Sequence, residues 1–222
     1  MTNSIKIDFK GKNINFWEAC EFSKKNKIEH HVILEQANDQ GLLIDEDKQL
    51  LIDFIEFIKV NKKKIRSQLY QDIFASFVVN DKFNKSYLEF GATNGIDLSN
   101  TYLLEKKYKW NGILAEPARQ WHNELLKNRD VFIEKNCVWI DSNKTLTFNE
   151  IGELSTIDTF SNSDMHNSER IKGHKYEVKT ISLEDLLDKY RAPSVIDYLS
   201  IDTEGSEFEI LSAFNFEKYK FR

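Results

Sequence analysis

Apolar and polar positions follow two different periods along the chain, and the change falls near residue 80. Before that point apolar residues recur at helical spacing. In "DKQLLIDFIEFIKV" one helical face carries Leu50, Leu51, Phe54, Ile55 and Ile58. In "SQLYQDIFASFVV" the predicted buried stripe comprises Leu69, Phe74 and Phe77. The pattern predicts a helical N-terminal region over residues 1–80.

From Ser86 onward, short apolar runs alternate with amphipathic stretches. Strands are predicted at "YLEF", "GILAE", "VFIEKNCVWI" and "VIDYLSID", with two additional strands around "LTF" and "YEVKTI". Helices are predicted over residues 100–107, 119–128, 182–189 and 206–214. This alternation is typical of an α/β protein with a parallel sheet and helices on both faces. We therefore expect a Rossmann-like second domain over residues 81–222.

Charge and cysteine content narrow the class of protein. The 222 residues carry a formal net charge of −5, and 30 % of them are charged, which disfavours a protein that binds nucleic acid by neutralising phosphates. No apolar run approaches the ~20 residues of a membrane helix, and no signal peptide opens the chain. Cys20 and Cys137 lack metal-binding or redox spacing. We expect a cytoplasmic protein with no nucleic-acid or membrane partner.

Carboxylates stand at the ends of three predicted strands: Glu89, Glu116 and Asp202. In a doubly wound sheet, ligands bind beyond the carboxyl ends of the strands, near the point where the strand order reverses. We therefore expect these three side chains to surround one ligand. The alternative is that Glu89 and Glu116 only cap neighbouring helices.

The turn after Glu89 constrains the ligand. Its sequence, "GATNG" from Gly91 to Gly95, is not the G-x-G-x-x-G pattern that brings a helix N-terminus against a pyrophosphate. Glu116 follows 21 positions after Gly95, the spacing of an acid that binds a ribose, and Pro117 then ends strand pairing. A carboxylate at Glu89 disfavours a phosphate and favours a cationic group. S-adenosylmethionine is a nucleoside cofactor that carries a positive charge and lacks phosphate. A nicotinamide-dependent oxidoreductase is the alternative that the missing third glycine disfavours.

Three motifs, in order, resemble one family. "LEFGATNGIDLSNTYLLE", "GILAEPA" and "YLSIDTEGSEFEIL" are similar to the FkbM-type S-adenosylmethionine-dependent methyltransferases, over about residues 67–222. The resemblance implies O-methylation of a hydroxyl group on a sugar, another carbohydrate-like molecule or a secondary metabolite. The small-molecule acceptor is thus expected to be hydroxylated.

The resemblance also implies roles for individual residues. Glu116 should bind the ribose, and residues 137–141 should lie near the adenine. The methionine end of the cofactor should be lined by Glu89, Gly91, Asn94 and Gly95. The family more often has Asp where Glu89 stands. The predicted cofactor-binding residues are Glu89, Gly91, Ala92, Asn94, Gly95, Glu116, Pro117, Val138 and Asp141.

Removal of the acceptor's proton needs a base or a polarising metal, because a hydroxyl group titrates far above pH 7. Asp202 and Glu204, in "IDTEGSE", and His166, in the polar segment before the fourth strand, are the predicted catalytic residues. Asp202 is also a candidate oxygen ligand for Mg²⁺. Glu207 is expected only to favour the start of the next helix. Further acceptor-binding candidates are Asp164, Arg170 and His174.

The C-terminus is shorter than the resemblance implies. Family members continue into another strand and a terminal hairpin, whereas this chain stops at "EKYKFR". We expect C-terminal strands to be missing, which would leave "VIDYLSID" as an apolar sheet edge. A second copy of the chain or a separate polypeptide is predicted to cover that edge. The alternative function is a non-catalytic cofactor-binding or interaction module.

Overall fold

The computed structural model describes residues 7–11, 13, 15, 18, 22, 25, 28, 30–42, 48–79 and 85–222. Cys20 lies outside these residues. Internal contacts divide the chain into two compact units, Met1–Ile65 and Arg66–Arg222, while the division between residues 80 and 81 stays a prediction. None of the described helices is long and apolar enough to cross a bilayer.

The first unit contains two helices that contact each other, α1 (His30–Asp39) and α2 (Lys48–Asn61). Four of the five predicted apolar positions of α2 are buried, but Leu50 is 50 % exposed. An α-helix turns by about 100° per residue. Leu50 therefore lies about 90° from the centre of the stripe that the other four form, at the boundary with solvent.

The second unit begins with helix α3 (Gln71–Val79), whose predicted buried stripe is wrong at Phe74, while Leu69 and Phe77 are half-buried. Phe74 is 54 % exposed, whereas Ile73 and Val79 are buried on the opposite side of the helix. The helix starts four residues later than the apolar pattern indicated. Tyr70 has a positive φ of 66°, and this left-handed residue ends a turn that sets the orientation of α3.

Four parallel strands form the sheet that carries the candidate site. They are β1 (Ser86–Phe90), β2 (Asn111–Ala115), β3 (Phe132–Glu134) and β9 (Tyr198–Ile201), in the spatial order β3–β2–β1–β9. Every pairing is parallel, so all four carboxyl ends meet at one edge. Phe90 pairs with Ala115 on one side and with Ile201 on the other. The residues that follow these three positions therefore come together.

A second, mixed sheet has the order β4–β7–β5–β6. Its strands are β4 (Cys137–Trp139), β5 (Thr145–Glu150), β6 (Thr156–Ile157) and β7 (His174–Ser182). Both additional strands predicted around "LTF" and "YEVKTI" are present. The single strand predicted at "VFIEKNCVWI" is wrong, because it splits into β3 and β4. The Glu134 carboxylate accepts hydrogen bonds from the backbone N–H groups of Lys135 and Asn136 and forms the turn between them.

Short helices connect the strands and establish a mixed α/β architecture. They are α4 (Tyr102–Lys106), α5 (His122–Asn128), α6 (Asn167–Arg170), α7 (Leu183–Lys189) and α8 (Glu207–Ser212). A 3₁₀ turn, Arg119–Trp121, precedes α5. The Ser182 hydroxyl caps α7 by accepting a hydrogen bond from the Asp185 backbone N–H at 3.1 Å.

The last residues of the chain pair with the start of the "VIDYLSID" segment. Strand β10 (Lys220–Phe221) lies parallel to β8 (Val195–Ile196), and the Arg222 guanidinium contacts the Asp197 carboxylate at 2.9 Å. The "VIDYLSID" edge was expected to be open along its whole length, and this is wrong for β8, which pairs with β10. In the described part of the chain, β9 is the edge strand of the parallel sheet. A partner that covers β9 stays a prediction.

Candidate active site

A cavity of about 420 Å³ opens at the carboxyl ends of β1, β2 and β9. Its volume falls within the range of small-molecule sites, roughly 300–1,000 Å³. Eight of the predicted site residues line it: Glu89, Gly91, Glu116, Pro117, Val138, His166, Asp202 and Glu204. Four others are not among its lining residues: Ala92, Asn94, Gly95 and Asp141. The strand ends therefore converge on one space, but the turn predicted to line it contributes only in part.

Glu116, at the end of β2, is 4 % exposed and lines the cavity. Its Oε2 accepts a hydrogen bond from the Thr93 backbone N–H at 2.7 Å, and its Oε1 accepts one from the Ala118 N–H at 2.8 Å. Burial raises the pKa of this carboxyl to about 7, although both N–H donors act in the opposite direction. Each oxygen keeps a further lone pair for a ligand hydroxyl group.

Glu89 is buried, and the hydrogen bonds to its carboxylate come from residues 99–101, just after the turn. It accepts hydrogen bonds from the Asn100 backbone N–H at 2.6 Å, the Thr101 hydroxyl at 2.5 Å and the Ser99 hydroxyl at 3.0 Å. The Arg129 guanidinium lies 3.6 Å away. Burial nevertheless raises the pKa of Glu89. This carboxylate fixes the loop after the turn, and its direct contact with a cofactor stays a prediction.

Arg129 is the centre of this buried network and is only 2 % exposed. Its guanidinium contacts the Glu105 carboxylate at 2.5 Å and donates hydrogen bonds to the Tyr87 hydroxyl and the Gly95 carbonyl, at 2.8 and 3.1 Å. Buried charges need paired, hydrogen-bonded partners. The network therefore ties α4 and α5 to the loop beside the cavity.

The two glycines of the turn are required for packing. A Cβ on Gly91, whose φ is 77°, would lie 2.0 Å from the Asp202 carbonyl oxygen. A Cβ on Gly95 would lie 2.7 Å from side-chain carbons of Leu125 and Arg129. Gly91 thus allows the ends of β1 and β9 to approach each other, and Gly95 lets the turn lie on α5.

The other members of the turn stabilise the turn itself. Asn94 Oδ1 accepts hydrogen bonds from the backbone N–H groups of Ile96 and Asp97, both at 2.9 Å. The Ala92 carbonyl accepts one from the Gly95 N–H at 2.8 Å. Direct cofactor contacts for Ala92, Asn94 and Gly95 stay predictions, since these residues do not line the cavity and their described hydrogen bonds are to other residues of the protein.

Asp202 follows β9 and lines the cavity. Its backbone N–H donates to the Phe90 carbonyl, whereas no described residue donates a hydrogen bond to its carboxylate. The Asp202 side chain is open to solvent, but its partial desolvation within the cavity, and then the nearby Glu207 carboxylate, raise its pKa. Glu207 itself binds the backbone N–H groups of Thr203 and Gly205 at 2.9 and 3.1 Å, a structural role at the start of α8. Asp202 is thus a carboxylate available to a ligand.

Glu204 also lines the cavity, in the left-handed conformation with φ of 59°. Its carboxylate contacts the fully buried Arg170 guanidinium at 2.6 Å, and Arg170 also contacts Asp164 at 2.7 Å. Arg170 therefore holds the "IDTEGSE" loop against the segment before β7. His166 lies on this segment and lines the cavity, whereas His174 begins β7 and does not line it.

The side of the cavity beyond Glu116 is apolar. Cys137, Val138, Phe148 and Ile157 line it and are all buried. Burial raises the pKa of the Cys137 thiol to about 12. Asp141 is exposed outside the cavity, where its carbonyl accepts a hydrogen bond from the Thr180 hydroxyl at 2.6 Å. This apolar wall is suited to a flat aromatic group such as a nucleobase.

The structure gives no support to magnesium at Asp202. Among the described residues, no group of three or more His, Cys, Asp or Glu side chains is arranged to hold a metal ion. The lining residues of the cavity also include neither lysine nor arginine. Charge in the described lining is therefore carried by acids, with His166 as the one titratable base.

The methyltransferase FkbM domain matches residues 89–222, which is more than half of the chain. The chain belongs to the FkbM methyltransferase family. This match begins at Glu89 and includes the three strand-end carboxylates, so the cavity described above lies largely within the FkbM domain. No curated protein and no solved structure matches the chain significantly.

Sequence patterns missed several residues of the FkbM site. Arg129 is a single arginine in a polar stretch, and nothing local distinguishes it from an exposed one. Arg170 was predicted to bind the acceptor, but it is fully buried, does not line the cavity and instead pairs with Asp164 and Glu204. Their partners Glu105, Asp164 and Glu204 lie 24, 6 and 34 positions away. The cavity-lining pair Gln68 and Gln71 precedes the family match, where no motif indicates a site.

Proposed function

We propose that the protein is an S-adenosylmethionine-dependent O-methyltransferase that acts on a hydroxyl group of a neutral, carbohydrate-like or secondary-metabolite acceptor. The observation that carries the proposal is the cavity itself. The cavity is lined both by Glu116, which is buried at the end of β2, and by Asp202, at the end of β9. No described residue donates a hydrogen bond to the Asp202 carboxylate. The membership in the FkbM family supports methyl transfer as the reaction.

The residues of the cavity fit an adenosine group. The free lone pairs of Glu116 can accept hydrogen bonds from the two ribose hydroxyl groups. The apolar wall of Cys137, Val138, Phe148 and Ile157 can enclose the adenine. Gly91 lines the cavity without a side chain, and thereby leaves room where the ends of β1 and β9 meet.

S-adenosylmethionine, when bound, supplies a methyl group on a cationic sulfur. The protein has to orient the acceptor hydroxyl, exclude water and remove a proton as the oxygen is methylated. Asp202 is the base in this proposal, because no described residue donates a hydrogen bond to its carboxylate and its raised pKa favours proton uptake. Glu204 is less suited, since Arg170 already neutralises it. His166 is the second candidate.

The described lining also supports a neutral acceptor. Lysine and arginine are the side chains that most strongly bind a phosphate group, and neither is among the described residues that line the cavity. Ser155, Thr203 and Ser206 in the same lining donate their hydroxyl protons within the protein, so their oxygens and the Asp202 carboxylate are left to accept hydrogen bonds. Such acceptors are suited to the hydroxyl groups of a polyol.

The test has two parts. Calorimetric titration with S-adenosylhomocysteine measures cofactor binding, and transfer of a radiolabelled methyl group to a panel of carbohydrates and secondary metabolites measures turnover. We expect binding and a methylated product on a hydroxyl oxygen, with binding lost in Glu116→Ala. A wild-type protein that fails to bind S-adenosylhomocysteine at about 1 mM would refute the proposal. Binding without product on the whole panel would favour a non-catalytic cofactor-binding module.

A further inference from the structure

Neither lysine nor arginine is among the described lining residues of the cavity, so the binding of the anionic end of the proposed cofactor has to be explained. The methionine end of S-adenosylmethionine carries a carboxylate, which has to be bound by neutral N–H or O–H donors here. Three side-chain amides line the cavity: Gln68, Gln71 and Asn100. Asn100 Nδ2 already donates a hydrogen bond to the Ser200 hydroxyl at 2.9 Å. The amide N–H groups of Gln68 and Gln71 have no such partner among the described residues.

The turn that carries these two glutamines is fixed by buried contacts. Asp72 is fully buried, and its carboxylate accepts hydrogen bonds from the Ser67 hydroxyl at 2.6 Å and the Arg66 backbone N–H at 3.1 Å. Tyr70, between the glutamines, adopts the left-handed conformation. Such backbone strain persists only where surrounding contacts determine it. The turn is therefore a defined wall of the cavity.

Gln71 is oriented within this wall. Its Oε1 accepts a hydrogen bond from the Leu69 backbone N–H at 2.7 Å. The acceptor side of the amide is thus occupied, and Nε2 is left to donate. A primary amide held in this way presents two N–H groups, which is the chemistry that binds a carboxylate.

The wall also lies at the end of the cavity that a methionine group would reach. Helix α3, which begins at Gln71, packs against α4, the helix that follows the lining residues Asp97 to Asn100. Asn100 donates hydrogen bonds to Glu89 of β1 and to Ser200 of β9, whereas Glu116 follows β2, on the other side of β1. With the ribose at Glu116, the amino-acid group extends towards Gln68 and Gln71.

We propose that Gln68 and Gln71 bind the carboxylate of the cofactor's amino-acid group. This inference rests on the proposed function. Both residues precede Glu89, where the FkbM domain match begins. The segment before the family domain therefore supplies part of the cofactor site.

The experiment compares two ligands by calorimetry on the full chain. S-adenosylhomocysteine contains the amino-acid group, whereas 5′-deoxy-5′-methylthioadenosine contains the adenosine and sulfur without it. The variants Gln71→Glu and Gln68→Glu replace an N–H donor by a carboxylate of the same size. In Gln71→Glu the new carboxylate can still accept the hydrogen bond from the Leu69 backbone N–H. Gln120→Glu is the matched control, because Gln120 is exposed in the same unit and does not line the cavity.

We expect each cavity variant to weaken S-adenosylhomocysteine binding roughly tenfold or more, the effect of one hydrogen bond to a charged group. Binding of the methylthioadenosine should change less than about twofold, and the control should match wild type for both ligands. Unchanged S-adenosylhomocysteine affinity in both variants would overturn the inference, as would an equal loss for both ligands. Gln68→Glu alters an exposed side chain, so folding of this variant should match wild type in thermal unfolding. If wild-type protein binds neither ligand, the proposed function fails instead.

Discussion

The raised pKa of Glu116 makes cofactor binding dependent on pH in a predictable direction. In the free protein burial raises this pKa to about 7, so the carboxyl is largely protonated at pH 6 and ionised at pH 8. Ribose hydroxyl groups would donate hydrogen bonds to the ionised form and stabilise it. Binding should therefore be tighter at high pH, and it should release a proton when it occurs at low pH.

The size of this pH effect on binding follows from the Glu116 pKa of about 7. With a pKa of about 7, the protonated fraction is about ten elevenths at pH 6 and about one eleventh at pH 8. If only the ionised form binds, the dissociation constant for S-adenosylhomocysteine is about tenfold larger at pH 6 than at pH 8, or about 1.4 kcal/mol. Proton release per ligand bound should approach about 0.9 at pH 6.

The assay is calorimetric titration between pH 6 and pH 8 in two buffers of different ionisation enthalpy, which reports affinity and proton release together. Glu89, Asp202 and Glu204 also line the cavity with raised pKa values. The variant Glu116→Gln isolates the contribution of Glu116, because it should bind more weakly and lose most of the pH dependence. A wild-type affinity that is flat across this range, or a pH dependence that persists in Glu116→Gln, would refute the reasoning.

Three further predictions concern the network, the turn and the base. Arg129→Met should lower the free energy of unfolding in urea by about 3–5 kcal/mol, because it leaves Glu89 buried without a cation. Adding Glu89→Gln should recover part of this loss, and equal losses in the single and the double variant would contradict the pairing. Gly91→Ala should lower the free energy of unfolding by more than about 2 kcal/mol. Gly152 has a positive φ but no atom near the position of a Cβ, so Gly152→Ala should lower it by only about 1 kcal/mol. Similar losses in the two variants would exclude a clash between a Cβ added at Gly91 and the Asp202 carbonyl. Asp202→Asn should lower turnover at least about 100-fold while S-adenosylhomocysteine affinity stays within about threefold; full turnover would exclude Asp202 as the base.

Local patterns were informative where one period and one neighbourhood decide the structure. The alternation of apolar runs predicted β1, β2 and β9, and the carboxylates of Glu89 near the end of β1, Glu116 after β2 and Asp202 after β9 converge as parallel pairing requires. The pattern of apolar runs did not predict the division between β3 and β4. The side chain of Glu134 turns the chain between them, and an apolar run carries no signal for such a turn.

The helix before β1 shows a second kind of failure. Its apolar residues allow several helical faces, and the pattern favoured the one with Phe74. The actual face depends on the turn at Tyr70 and on the capping of that turn by Asp72. These contacts involve a buried carboxylate and a left-handed residue, neither of which follows from hydrophobic periodicity.

The family, the alternation of strands and helices, and the carboxylates near the strand ends are all visible in the amino-acid sequence. These features depend on residues close together in the chain, so they can be read locally. Which of the carboxylates is open to a ligand depends on the folded chain. The Glu89 carboxylate accepts hydrogen bonds from residues 99–101 beside Arg129, and Arg170 pairs with Glu204, while no described residue donates a hydrogen bond to the Asp202 carboxylate. Buried charges are paired by residues that folding brings together from distant positions, and no local pattern encodes that choice.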